Sequence, residues 1–163
     1  MVREPVTGIG LDWECITVAS RCAYYQVVCH LPAILDPATD QITVTAGRVQ
    51  AVMVPWALGQ RVRSELSRSD AGYGPIVSHP RSGSWTFITN SDRTIDLTAD
   101  NELFWIGNVV VLASGVTIAL PAPTATNVDR CREWELPPTS PQRPTTHTVL
   151  DAVRTCLKRG KTR

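Results

Sequence analysis

The sequence predicts an α+β fold: a single domain with one mixed or mostly antiparallel sheet and about three helices packed on it. Three observations lead there. The chain has 163 residues, of which 43 % are apolar and 19 % charged, enough to bury a core and too hydrophobic for a disordered chain. Short segments rich in β-branched residues alternate with segments whose apolar residues recur every three or four positions. Turn residues separate the two kinds, and no internal repeat is present. The longest mostly apolar stretches, Val109–Ala113 and Val116–Ala122, fall far short of the roughly 20 residues of a membrane span. No basic-then-apolar leader opens the sequence, so no cleaved signal peptide and no membrane partner are expected.

Residues 1–14 read as an N-terminal arm, 15–157 as the α+β domain and 158–163 as a basic C-terminal tail. Within the domain, Ala23–Cys29 is rich in Tyr and Val and reads as a strand. Asp36–Asp40 has turn composition, and Gln41–Thr45 alternates polar and apolar residues like a half-buried strand. Ala46-Gly47 turns the chain, and Arg48–Val54 reads as a second strand forming a hairpin with the first. Pro55 suits the first turn of a helix, and Leu58, Val62 and Leu66 then recur every four residues as its buried stripe. Arg61 and Arg68 fall outside that stripe. Pro75–Ser78 and Trp85–Thr89 read as short strands joined by His79–Ser84.

Asp96 to Ile106 reads as a helix with Thr98 as its cap and Gly107 as its stop. Val109–Leu112 and Val116–Leu120 flank Ser114-Gly115, a hairpin signal. Residues 121–146 hold six prolines, with Trp134–Leu136 as an edge strand. A last helix carries Val149, Val153, Cys156 and Leu157, capped by Thr146 or Thr148.

Charge is unevenly placed although the net value is only +1. Residues 1–50 balance at –2 and residues 101–163 at +3, and fourteen of the sixteen bases are Arg. Arg154, Lys158, Arg159, Lys161 and Arg163 make the last ten residues purely basic, a candidate contact for nucleic-acid phosphates beside the plain reading of a solvated terminus. The five cysteines (Cys15, Cys22, Cys29, Cys131, Cys156) include no C-x-x-C pair, so free buried thiols in a reducing cytoplasm are expected rather than zinc.

No Asp or Glu occurs in 15–35, 41–64, 71–91 or 103–128, which contain nearly every expected strand. Two-metal chemistry needs carboxylates fixed on rigid elements, so no catalytic metal site is expected. Ser78 and His79 are adjacent, and strand neighbours face apart. Gly8 and Gly10 lack the third glycine of a dinucleotide fingerprint, because Trp13 stands in its place. The remaining candidate is the loop Arg81, Ser82, Gly83 and Ser84, where backbone N–H groups and a guanidinium can hold a phosphate or nucleotide, with Arg61 on the Arg-rich helix as a further contact. The plain alternative for that loop is a hairpin turn.

Pro80–Phe87 resembles the glycine-rich, His-containing strand of the bifunctional DNA primase/polymerase (Prim-Pol) N-terminal domain. Gly115–Pro123, followed by Cys131–Pro137, is similar to that family's later Pro-rich strand and its aromatic partner. The resemblance spans roughly residues 40–157 and is to short actinobacterial members with a worn-down site. The family's paired acids before a proline fall on Val52 and Val54, its His falls on Trp85, and its third acid is missing from 108–120. The resemblance therefore implies a retained sheet without polymerase chemistry.

The expected function is a non-catalytic binding or regulatory protein on a Prim-Pol-like sheet, contacting nucleotide, nucleic acid or a protein, without cofactor. Two alternatives stand beside it. Five Trp and the Pro-rich 137–144 suit a protein–protein adaptor with no nucleic-acid role, and Ser78, His79 or a cysteine would serve an enzyme with loop-borne catalytic residues.

Overall fold

The computed structural model describes residues 17–70, 72–92, 94–123 and 131–160. The class is α+β, with four helices rather than three and two sheets rather than one among the described residues. In chain order the elements are α1 (Val18–Val27), β1 (Ala33–Asp36), β2 (Gln41–Thr45), β3 (Val49–Pro55), α2 (Trp56–Leu66), β4 (Ile76–His79) and β5 (Ser84–Asn90). A 3-10 turn (Thr98–Asp100) then leads into α3 (Asn101–Ile106), β6 (Val110–Leu112), β7 (Thr117–Leu120), β8 (Glu133–Leu136) and α4 (Thr146–Gly160). One sheet has the order β1-β2-β7 and the other β6-β3-β5-β4-β8, and every strand pair in both is antiparallel.

The segment expected as a strand over Ala23–Cys29 is instead the end of α1, with Val28 as its C-cap and Cys29 just beyond. Its capping box decides this: Thr17 Oγ1 accepts the Ser20 N–H at 3.1 Å, and the Thr17 N–H donates back to Ser20 Oγ. Cys22, Tyr25 and Cys29 then fall on one face and are buried, at a helical spacing that the β-branched composition obscured. Tyr25 is fully buried, donates its hydroxyl to the Pro121 carbonyl at 2.6 Å and accepts the Trp134 indole N–H at 2.7 Å.

Neither expected hairpin forms. β2 and β3 lie in different sheets, as do β6 and β7. The two connections instead cross side by side, with the Ala46 N–H donating to Val116 and the Gly115 N–H donating back to the Ala46 carbonyl, both at 2.8 Å. Residues 42–53 thus run antiparallel to 110–120, passing from one sheet to the other at this corner. Thr45 faces Thr117, and an unbroken ladder would set Ala51 against Val111, yet Ala51 meets Leu112. The one-residue slip and the positive φ of Ser114 (30°) and Gly115 (84°) make the corner.

β3 is buried on both faces, which explains its unbroken apolar run. Ala51 joins α1 and the three-stranded sheet in one core, while Val52 and Val54 join α2, α3 and α4 in a second. Leu58, Val62 and Leu66 bury as the stripe predicts, and Arg61 and Arg68 stay exposed. Pro55 ends β3 and precedes α2 instead of standing in its first turn. Gly59 lies against Trp85, where a Cβ would come within 2.8 Å of the ring.

Three further boundaries differ. The helix expected from Asp96 is shorter, and Thr98 is not its cap: Asp96 Oδ1 accepts the Thr98 N–H at 2.9 Å and starts the 3-10 turn. α4 is capped by Thr145, whose Oγ1 accepts the Thr148 N–H at 3.2 Å. Thr146 turns inward, with its hydroxyl 2.8 Å from Thr89 and 2.7 Å from Gln50 Oε1. α4 continues through Lys158 and Arg159, so these two bases belong to a helix. Trp134–Leu136 does form part of the edge strand β8. The arm 1–14, Cys15, and the tail bases Lys161 and Arg163 lie outside the described residues.

Candidate functional site

The loop 81–84 closes the β4–β5 hairpin, and the backbone of Gly83 is engaged by the protein. The Gly83 N–H donates to the His79 carbonyl at 2.9 Å, and the Gly83 carbonyl accepts the Trp56 N–H that opens α2 at 2.8 Å. The Ser82 and Ser84 hydroxyls lie 2.7 Å apart, and Arg81 is exposed. Ser78 and His79 do not form a pair. His79 Nε2 lies 2.9 Å from Thr86 Oγ1, and burial, helped by the Arg132 charge, holds its pKa below the ordinary histidine value.

Arg61 and Arg159 meet in a groove of about 290 Å³ between α2 and α4. Arg61 Nη1 donates to the Cys156 carbonyl at 3.2 Å. Arg159 pairs with Glu65 at 2.8 Å, and Arg68 pairs with the same carboxylate at 3.3 Å. These bonds clamp the two helices together and leave one acid among three guanidinium groups.

Among the described residues, no cluster of three or more His, Cys, Asp or Glu is placed to hold a metal. Cys22, Cys29 and Cys156 are buried free thiols, and Cys131 is free and partly exposed. Val52, Val54 and Trp85 are all buried in the core shared with α2 and α4.

A different set of residues forms the most developed polar cleft. After α1 the chain turns sharply at His30 (φ 50°) and passes beneath the end of β5. There the Asn90 N–H donates to the Pro144 carbonyl at 2.9 Å, and Asn90 bridges Thr145 in parallel. The Pro-rich segment is thereby tied to the sheet at its end, and it places Arg143 in the lining of two clefts. The larger, about 720 Å³, is lined by Gln26, His30, Arg48, Ser91, Asn90 and Arg143 over an apolar floor. The smaller, about 530 Å³, is lined by Gly72, Gly74, Gln142 and Pro144 and shares Asn90 and Arg143 with the first.

The electrostatics of Arg143 set this cleft apart. Its Nε donates to Asn90 Oδ1 at 2.9 Å and its Nη1 to the Cys29 carbonyl at 2.7 Å. Both acceptors are neutral. The guanidinium is half-buried, and desolvation pulls its pKa below the ordinary arginine value, opposed by the nearby Cys29. Among the described residues, no carboxylate lines either cleft and none pairs with Arg143 or Arg48. The neighbouring acid Asp92 is bonded to His147 Nδ1 at 2.7 Å. A partly desolvated cation held only by dipoles retains strong affinity for an anion, because burial raises the worth of each charge interaction. Chemically, the cleft offers donors and positive charge without a carboxylate base or a metal ligand set.

No motif marks these residues in the sequence, since they come from four separated segments. The available signals were an Arg after a turn (Arg48), an unassigned His30, and an Arg inside a Pro-rich run. Comparison of the chain with protein-family models, curated proteins and solved structures finds no match to any of them. Among the described residues, no helix is long and apolar enough to cross a membrane.

Proposed function

We propose that the chain is a non-catalytic binding or regulatory protein whose ligand carries an anionic group, seated in the Arg48–Arg143 cleft. One observation carries this reading: a half-buried guanidinium bonded only to neutral acceptors faces a cleft with a second Arg and no acid. Structural arginines at such depth usually meet a carboxylate, because leaving the charge unpaired is costly. The Prim-Pol resemblance supports the non-catalytic part, since valines stand where metal-binding acids would be needed. The α2–α4 groove is a weaker anion candidate, because Glu65 already offsets its charge.

Calorimetric titration with inorganic phosphate at constant ionic strength tests the reading. Arg48→Ala should weaken binding about tenfold, as expected for a lost charge-assisted bond, while Arg61→Ala should not. Absence of phosphate binding, or equal loss in both variants, overturns it. The adaptor reading keeps one specific support: Trp105 is 83 % exposed beside the exposed Ile106, close in sequence to Val110 on the edge strand β6. A partner lost on Trp105→Ala but unaffected by Arg48→Ala would favour it.

A further inference from the structure

Resting on the anion-site reading above, we infer that the ligand is a phosphate monoester with an uncharged, hydrogen-bonding ring, and that it lies across the Asn90–Arg143 ridge. Charge matching selects the phosphate form. The larger cleft presents two guanidinium groups and no acid. A phosphate monoester carries about –1.5 to –2 at neutral pH and matches them, whereas a carboxylate or phosphodiester brings a single charge. Geometry agrees. Arg143 spends one N–H on Asn90 and one on Cys29. A guanidinium has five N–H donors, so its remaining fork is available to tetrahedral phosphate oxygens.

The second cleft selects the body of the ligand. Apart from the shared Arg143 its described lining is uncharged, and it is walled by Gln142, Pro144 and two glycines with positive φ, Gly72 (67°) and Gly74 (56°). Asn90 belongs to both clefts. Its Oδ1 accepts from Arg143 Nε, which fixes the amide's orientation and leaves Nδ2 without a protein acceptor among the described residues. Two side-chain amides beside a proline face offer the mixed donors and acceptors that heterocyclic rings carry. Inorganic phosphate alone fills only a small part of clefts of about 720 and 530 Å³. Ligand sites for whole small molecules fall in that size range.

The test is calorimetric titration of the full chain at fixed ionic strength with inorganic phosphate, ribose 5-phosphate, the nucleoside 5′-monophosphates and a 3′,5′-cyclic monophosphate. At least one 5′-monophosphate should bind about tenfold or more tightly than ribose 5-phosphate or phosphate, and tighter than the cyclic diester by a similar factor. Gln142→Ala should remove that advantage and leave phosphate binding unchanged. A 5′-monophosphate no tighter than phosphate, or a Gln142→Ala variant that alters both ligands alike or neither, overturns this inference while leaving the anion site intact. Failure of phosphate itself to bind the unmodified chain overturns both.

Discussion

The Nε of Arg143 lies 2.9 Å from Oδ1 of Asn90, and this bond joins the end of β5 to the segment that leads into α4. With the Nη1 bond to the Cys29 carbonyl at 2.7 Å, one side chain ties together α1's exit, the five-stranded sheet and the Pro-rich run. Arg143→Lys keeps the charge but cannot reproduce the planar fork. It should cost about 1–3 kcal/mol of stability in urea unfolding. A loss below about 0.5 kcal/mol would show that the fork does not hold these segments.

The contact between Gly59 and Trp85 gives a prediction with an internal control. A Cβ at Gly59 meets Trp85 Cε3 at 2.8 Å, whereas one at Gly47 meets nothing within 4 Å. Gly59→Ala gains helix propensity of about 1 kcal/mol but overpacks a buried ring, and should be net destabilising by about 1–2 kcal/mol. Gly47→Ala should be neutral or slightly stabilising by about 0.5 kcal/mol. Equal thermal midpoints for the two variants would contradict the packing described for α2.

Val52 and Val54 give a prediction about whether the sheet can hold a metal. Both are buried, at 0 % and 1 % exposure, against α2 and α4. Introducing acids with Val52→Asp and Val54→Asp should therefore unfold the sheet, at a cost above about 3 kcal/mol, rather than create a metal site. A variant that stays folded and binds Mn²⁺ would refute this.

Alkaline pH should destabilise the fold through two buried groups. Burial pushes the Cys29 thiol from 9.0 up to about 11 and the Tyr25 hydroxyl from 10.0 up to about 12. For each, the unfolded chain releases its proton first, so the stability is full below the unfolded value and is lost as pH rises through the folded one. Chemical denaturation should thus show a progressive loss between about pH 9 and pH 12, of about 2–3 kcal/mol from Cys29 alone. Cys29→Ala should flatten the lower part of that window. A stability profile level from pH 9 to 11 would contradict the burial assigned to this thiol.

Local signals were legible where a single segment carried them. The stripe Leu58, Val62 and Leu66 and the strand over Trp85–Thr89 are each carried by one segment, and both stand as read. α1 is not legible because Tyr24 to Val28 suits a strand by composition, and its Thr17/Ser20 capping box lacks the Glu or Gln that marks one in a sequence. The turns at Ala46-Gly47 and Ser114-Gly115 have hairpin chemistry, yet whether flanking strands pair with each other is decided by long-range partners. Each found its partner in the other, some 70 residues away, which no local window contains. The cleft was hidden for the same reason: Asn90, Arg48, His30 and Arg143 converge only through the sheet and the docked Pro-rich segment. The residues singled out from the sequence, Arg61, Arg81 and Arg159, were chosen by local charge density and settle in clamps or on a turn.

The most direct test of the account is an arginine-labelled NMR titration with inorganic phosphate at constant ionic strength, following the guanidinium signals residue by residue. Arg143 and Arg48 should shift together along one saturating curve, while Arg61 and Arg159 stay in place. Saturating shifts at Arg61 and Arg159 with Arg143 unmoved would contradict the central claim that the cleft between α1's exit and the Pro-rich segment is the anion site.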